Sequence, residues 1–124
     1  MFTLDTNILI SYFNDEPRVV NQLLEWRDAG EGFFISVITE LEVLSLPRLT
    51  AEELTTIQNF LQQFTIIPLD SHLSRIAAEI RRLTKLGLGD SVIVGTAKLT
   101  ESTLVTRDRE IMKKTASVIE IQSI

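Results

Sequence analysis

Cysteine is absent from this 124-residue chain, and histidine occurs once, as His72. Without cysteine there are no disulfides, thiolate nucleophiles or zinc–thiolate centres, and a reducing cytosol is the setting that fits. With one histidine there is no pair of imidazoles to share general acid and base work. No apolar run approaches the ~20 residues of a membrane span, and Met1 leads directly into an apolar segment with no basic leader, so neither membrane insertion nor secretion is expected. Positive charge is scarce where the chain begins: residues 1–70 carry 3 Lys/Arg against 11 Asp/Glu, whereas residues 71–124 carry 9 against 6. The net charge of −5 argues against binding nucleic acid through bulk positive charge. No linker, repeat or low-complexity tract interrupts the chain, so a single domain over residues 1–124 is expected.

Apolar residues are plentiful, at 44%, and a chain of this length buries roughly two-thirds of the surface it exposes when unfolded. Phe2 to Leu4 reads as a short buried strand, followed by a helix through Phe13 that Asn14-Asp15-Glu16-Pro17 ends. Pro17 suits the first turn of a second helix, with Val19, Val20, Leu23, Leu24 and Trp26 as its apolar positions. Phe33 to Ser36 is a second strand, and Ile38 to Leu46 a short helix stopped by Pro47. Thr50-Ala51-Glu52-Glu53 has the form of a capping box before an amphipathic helix whose stripe is Leu54, Ile57, Leu61 and Phe64. A brief strand over 65–69 leads to a helix capped by Asp70 or Ser71. After Gly87 and Gly89 come a nearly all-apolar helix from Ser91 to Leu99, a strand from Ser102 to Thr106, a helix from Arg109 to Lys114 and a last strand from Val118 to Ile121. Short apolar strands alternating with helices predict a three-layer α/β/α fold around a central, mostly parallel sheet of about five strands.

Four acids recur beside these segments: Asp5, Glu42, Asp90 and Asp108. A carboxylate next to an apolar run is costly to bury unless it is capped, paired or bound to a cation. Asp5, Asp90 and Asp108 suit helix N-caps as well as they suit ligands. As a set, with Arg107 and Arg109 the only cations close by in sequence, they favour a shared cation. In a parallel sheet ligands sit outside the carboxyl ends of the strands, near the topological switch point, and Asp5 and Thr106 fall at two such ends. The basic residues Arg75, Arg81, Arg82 and Lys85, and those of the run Arg107, Arg109, Lys113 and Lys114, are either solvated helix faces or a phosphate-tracking rim around that acidic centre.

The segments Leu4-Asp5-Thr6-Asn7-Ile8-Leu9, Ile35-Ser36-Val37-Ile38-Thr39-Glu40-Leu41-Glu42, Gly89-Asp90-Ser91-Val92-Ile93-Val94-Gly95-Thr96-Ala97 and Leu104-Val105-Thr106-Arg107-Asp108 span nearly the whole chain. In that order they resemble a PIN domain, and more narrowly the toxin ribonuclease of a VapBC-type toxin–antitoxin pair. The resemblance implies a divalent-metal endoribonuclease with Asp5, Glu42, Asp90 and Asp108 as the acidic centre, and Thr6, Asn7 and Thr106 as polar supports. It also implies a homodimer silenced by a cognate antitoxin. Two positions depart from the family's pattern: Gly87-Leu88-Gly89 precedes Asp90 where a proline is common, and Val94-Gly95 replaces a pair of small, alanine-like residues. Glu40 and Glu42, two apart on a helix, do not share a face, and the Thr39-to-Glu42 spacing of the family selects Glu42.

Hard carboxylate oxygens suit Mg²⁺ or Mn²⁺ better than zinc. Asp5 and Asp90 are expected as the main ligands, with Glu42 and Asp108 completing the shell or holding water. A single histidine leaves metal-activated water as the route for cleaving RNA. Other sheet enzymes fit less well: an aspartyl-phosphate enzyme of the haloacid-dehalogenase type needs a second Asp where Asn7 stands, and a receiver-like domain needs an acidic pair and a late lysine that are not evident. The non-enzymatic alternative is an inactive PIN-like interaction module whose acids are caps and whose acidic first half binds a basic protein.

Overall fold

The computed structural model describes residues 1–124. The elements in chain order are β1 (Phe2–Leu4), α1 (Thr6–Phe13), α2 (Pro17–Asp28), β2 (Phe33–Ser36), α3 (Val37–Leu44), α4 (Ala51–Leu61), β3 (Thr65–Ile67), α5 (Ser71–Thr84), α6 (Leu88–Leu99), β4 (Thr103–Val105), α7 (Arg109–Thr115) and β5 (Ile121–Gln122). The five strands form one sheet in the order β3-β2-β1-β4-β5, and every neighbouring pair is parallel. Parallel strands buried on both faces account for their short, continuous apolar runs. The chain moves outward from β1 to β2 and β3, then returns to the other side of β1 for β4. The switch point therefore lies between β1 and β4.

Adjacent residues of β4 show the two layers, since strand side chains alternate between faces. Val105 joins the core that Leu4, Ile8, Leu9, Val19, Leu23, Val43 and Ile57 build with α1–α4, and Leu104 joins the core that Ile80, Ile93, Val94, Ala97 and Ile111 build with α5–α7. Trp26 stacks on Phe2 with ring centres 3.9 Å apart, and Tyr12, Phe13, Phe60 and Phe64 pack as a tilted and edge-on cluster. These aromatic side chains pack against the first core. The large side chains left exposed are others, among them Leu41, Leu83 and Leu88.

Several boundaries differ from the sequence expectation. The capping box of Thr50 and Glu53 forms, and Asp70 rather than Ser71 caps α5. β3 stops at Ile67 because Pro68 has no N–H for the ladder. The last strand is Ile121–Gln122, not 118–121: the N–H groups of Val118 and Ile119 turn back to the Thr115 carbonyl at 2.9 and 3.1 Å, and both side chains pack on the second core. α6 begins three residues before Ser91, with Gly87 as N-cap and Gly89 inside the first turn. Asp90 is consequently within the helix and is not its cap. Gly95 lets α5 and α6 approach closely, since a Cβ there would lie 3.3 Å from Leu73 Cδ1 and 3.5 Å from Ala77 Cβ.

Candidate active site

Asp5 leaves β1 as the N-cap of α1, with only 6% of its surface exposed. Both carboxylate oxygens are engaged. The Thr6 N–H donates to Oδ1 at 2.8 Å, and the Thr106 hydroxyl donates to Oδ2 at 2.7 Å. Thr106, fully buried at the end of β4, also accepts the Asp108 N–H at 3.0 Å. Asp108 in turn caps α7, its Oδ1 accepting from the N–H groups of Glu110 and Ile111 at 2.9 and 3.1 Å. One hydroxyl therefore ties the carboxyl ends of β1 and β4 together across the switch point.

A second hydroxyl extends the network. Thr6 Oγ1 donates to Glu42 Oε1 at 2.8 Å and lies 3.0 Å from Thr39 Oγ1. Thr39 and Glu42 are three apart on α3 and so share a face. Glu40, two residues back, makes no side-chain hydrogen bond and belongs to no ion pair. Buried Thr39 is the polar support that the sequence-based set omits, although its spacing to Glu42 was the available signal. Asn7, by contrast, is exposed on α1 and makes no side-chain hydrogen bond.

Asp90 comes to the same edge from the first turn of α6. It is half-buried and has no hydrogen-bond partner. Its pKa is raised, first by burial and then by the charges of Asp5, Asp108, Glu42 and Glu110. Asp5 is raised as well, chiefly by burial; the bonds from Thr106 and Thr6 oppose this, and Asp108 and Glu42 add to it. The charges of Asp108 and Glu42 thus reach both Asp5 and Asp90. None of them pairs with a lysine or arginine, and the neighbouring Arg107 is turned to Glu16.

A cluster of uncompensated carboxylates on a sheet edge has the donor chemistry for a hard divalent cation. As the side chains stand, no three of them are close enough to form a ready-made ligand set. Asp5 is fixed by its two hydrogen bonds, whereas exposed Glu42 and half-buried Asp90 have room to turn. His72 lies at the exposed start of α5. Leu73, next to it, packs on Gly95 in the middle of α6, well away from Asp90 at that helix's start.

The fold is shared with known structures. The toxin–antitoxin complex from Klebsiella pneumoniae is similar at 27% identity and a TM-score of 0.82, over 98% of this chain and 96% of that one. FitAcB from Neisseria gonorrhoeae is 27% identical with a TM-score of 0.73 over the same shares, 98% and 96%. DNA-bound VapBC from Salmonella typhimurium, at 22% identity, has a TM-score of 0.80 over 98% and 96% and bears on the fold alone. Among curated proteins no sequence matches. The PIN domain matches residues 2–118, nearly the whole length. With its parallel sheet and its acids at the β1–β4 switch point, the chain belongs to the PIN domain family.

Proposed function

We propose that residues 1–124 act as a single-domain, metal-dependent endoribonuclease that hydrolyses RNA through metal-activated water. The observation that carries this reading is the meeting of Asp5, Glu42, Asp90 and Asp108 at one sheet edge with no basic partner, in a family of nucleases. Asp5 and Asp90 are the main Mg²⁺ or Mn²⁺ ligands. Glu42 and Asp108 complete the shell or hold water. When bound, the cation makes water nucleophilic near neutral pH and stabilises charge on the leaving oxygen of an in-line displacement. Thr106 holds the Asp5 carboxylate in one orientation, and Thr6 donates a single bond to the more exposed Glu42.

The similar structures at 27% identity include a toxin–antitoxin complex. On that ground the protein is the toxin of a type II toxin–antitoxin pair, cytosolic, and silenced by a cognate antitoxin. Exposed Leu41, Leu69 and Leu88 support its acting as a homodimer. The capping geometry of Asp5 and Asp108 favours one other reading, an inactive module that binds a basic protein.

An RNA cleavage assay in Mg²⁺ or Mn²⁺ against EDTA, run beside Asp5→Asn and Asp90→Asn, separates the two. Cleavage lost in EDTA and in both variants is the expected result. A chain that never cuts RNA, yet binds a basic partner equally well with both acids neutralised, would establish the module instead. Replacing the 2′-hydroxyl at the scissile nucleotide should leave cleavage largely intact, and complete loss of cutting with binding retained would refute water as the nucleophile.

A further inference from the structure

The two basic runs of the second half differ in how many of their cations are paired. Of the α7 run, Arg107 pairs with Glu16 and Lys114 pairs with Glu110 one helical turn away, while Arg109 and Lys113 have no acidic partner. At the end of α5, Arg81, Arg82 and Lys85 have no acidic partner and make no side-chain hydrogen bond. Together with Ala78 and Leu86 they line an open depression of about 530 Å³. Arg81 also lines a second groove, of about 200 Å³, whose wall includes Leu88 and Ser91. These two residues, three apart, share a face of the first turn of α6, and Asp90, on another face of that turn, lines neither depression. The short connection from α5 to α6 thus sets the cationic end of one helix beside the turn of the other that carries Asp90.

Cations in the last turn of a helix are favoured by its dipole, which explains Arg81 and Arg82 without any ligand. Lys85, the C-cap of α5, gains from the same dipole but stands in the left-handed region, at φ +61°, where a side chain with a Cβ is disfavoured, as do Asp15, Arg48 and Glu101 elsewhere in the chain. Its side chain adds a third positive charge to the same depression. The chain's net charge of −5 opposes approach of a polyanion, so binding one requires a local concentration of free cations.

We propose that Arg81, Arg82 and Lys85 form a phosphate-binding subsite that holds the RNA backbone to one side of the acidic centre, reached from it across the start of α6. The inference rests on the ribonuclease reading and adds where the substrate strand runs.

The probe is a fluorescein-labelled single-stranded RNA of mixed sequence. Its binding is followed by anisotropy across a salt series, in an Asp90→Asn background that leaves the probe uncut. Replacing Arg81, Arg82 and Lys85 together by glutamine should weaken binding at least ~10-fold at low salt and flatten the slope of log K against log salt by about 2. Arg75→Gln removes the same charge from the other end of α5 and should change neither by more than about a third of that. Lys85→Gly alone should weaken RNA binding while the thermal midpoint holds or rises, because glycine relieves the left-handed backbone. Equal affinity and slope in the triple variant, with RNA cleavage by the otherwise unaltered chain intact, would overturn the subsite and leave the ribonuclease reading in place. The same result accompanied by loss of self-association would assign the patch to an acidic protein face, again overturning it. If the unaltered chain neither binds nor cuts RNA, the ribonuclease reading fails and the subsite with it.

Discussion

Asp5 and Asp90 face the same acidic centre from opposite layers, and they are held in opposite ways. Asp5 is buried, capped by the Thr6 N–H and bonded by Thr106, so each of its oxygens has a donor. Asp90 is half-buried and has no donor, so burial and its acidic neighbours act on it unopposed. One is tied into the scaffold by hydrogen bonds, and the other is not. Donors on a carboxylate tie it to the fold whether or not it also binds a ligand, and a buried carboxylate without them calls for some other partner.

The largest effect should come from breaking the unanchored member. Asp90→Asn removes a charge that nothing in the fold compensates. Cleavage should fall on the order of 10³-fold, as expected for loss of a metal ligand, while the thermal midpoint holds or rises. Asp5→Asn should lose as much activity without that gain, since an amide in its place cannot accept both hydrogen bonds as a carboxylate does. Melting curves and initial rates on the two variants decide the point. A midpoint that fell for Asp90→Asn would mean that it, too, supports the fold.

Next come the hydroxyls of the anchored side. Thr106→Val keeps the shape but leaves Asp5 Oδ2 and the Asp108 N–H without their partner in a buried place. A loss of about 1–3 kcal/mol by denaturant titration is expected, with cleavage reduced about 10- to 100-fold as for a residue that orients a ligand. Thr6→Val should cost about as much, roughly 1–3 kcal/mol: exposed Glu42 can exchange its lost donor for water, but fully buried Thr39 loses the only side-chain partner of its hydroxyl. Glu42→Gln should abolish cleavage, and Glu40→Gln should leave it near the original rate; the reverse outcome would move the ligand to Glu40.

Much of this contrast could be read in the sequence, for reasons that differ by residue. Asp5 closes an apolar run and opens a helical pattern, so its place at a strand end follows from periodicity alone. Asp90 was harder. Gly87-Leu88-Gly89 reads as a break, yet Gly87 serves as cap and Gly89 sits over Ile38 with its would-be Cβ 3.5 Å from Ile38 Cγ2, so tertiary packing carries α6 through a weak helix former. Val118 and Ile119 read as strand because they are β-branched, but what they satisfy is the second core and not the ladder. The bridges from Thr106 to Asp5 and from Thr6 to Glu42 join residues far apart in the chain, and no local pattern encodes such a meeting.

Acidity gives a smaller, graded test. The pKa values of both Asp5 and Asp90 are raised in the folded chain above the 3.8 of an ordinary aspartate. The folded state therefore holds these protons more tightly than the unfolded state does. The resulting destabilisation is fully present above the raised values, and is relieved as pH falls through them towards 3.8. In EDTA, the gap in thermal midpoint between Asp90→Asn and the unaltered chain should be widest at neutral pH and narrow on acidification. Added Mg²⁺ or Mn²⁺ should close it at neutral pH. A gap independent of both pH and metal would mean that repulsion within the acidic centre is not what Asp90 experiences.

The smallest effect is expected at the ion pair nearest the site. Arg107 stands between Thr106 and Asp108, and its Nη1 donates to Glu16 at 3.0 Å while Nη2 bonds the other oxygen of the same carboxylate. The pairing lowers the pKa of Glu16 and raises that of Arg107. Both side chains are reached by solvent, and a pair of this kind returns little stability because water competes for each partner. The bonds that fix Thr106 and Asp108 are internal to the loop and to α7, and do not pass through Arg107. Glu16→Gln should therefore leave the thermal midpoint unchanged and the cleavage rate within about 2-fold, as for other solvent-exposed pairs. A drop as large as that of Thr106→Val would show that the anchored side is held from outside as well, through the turn between α1 and α2.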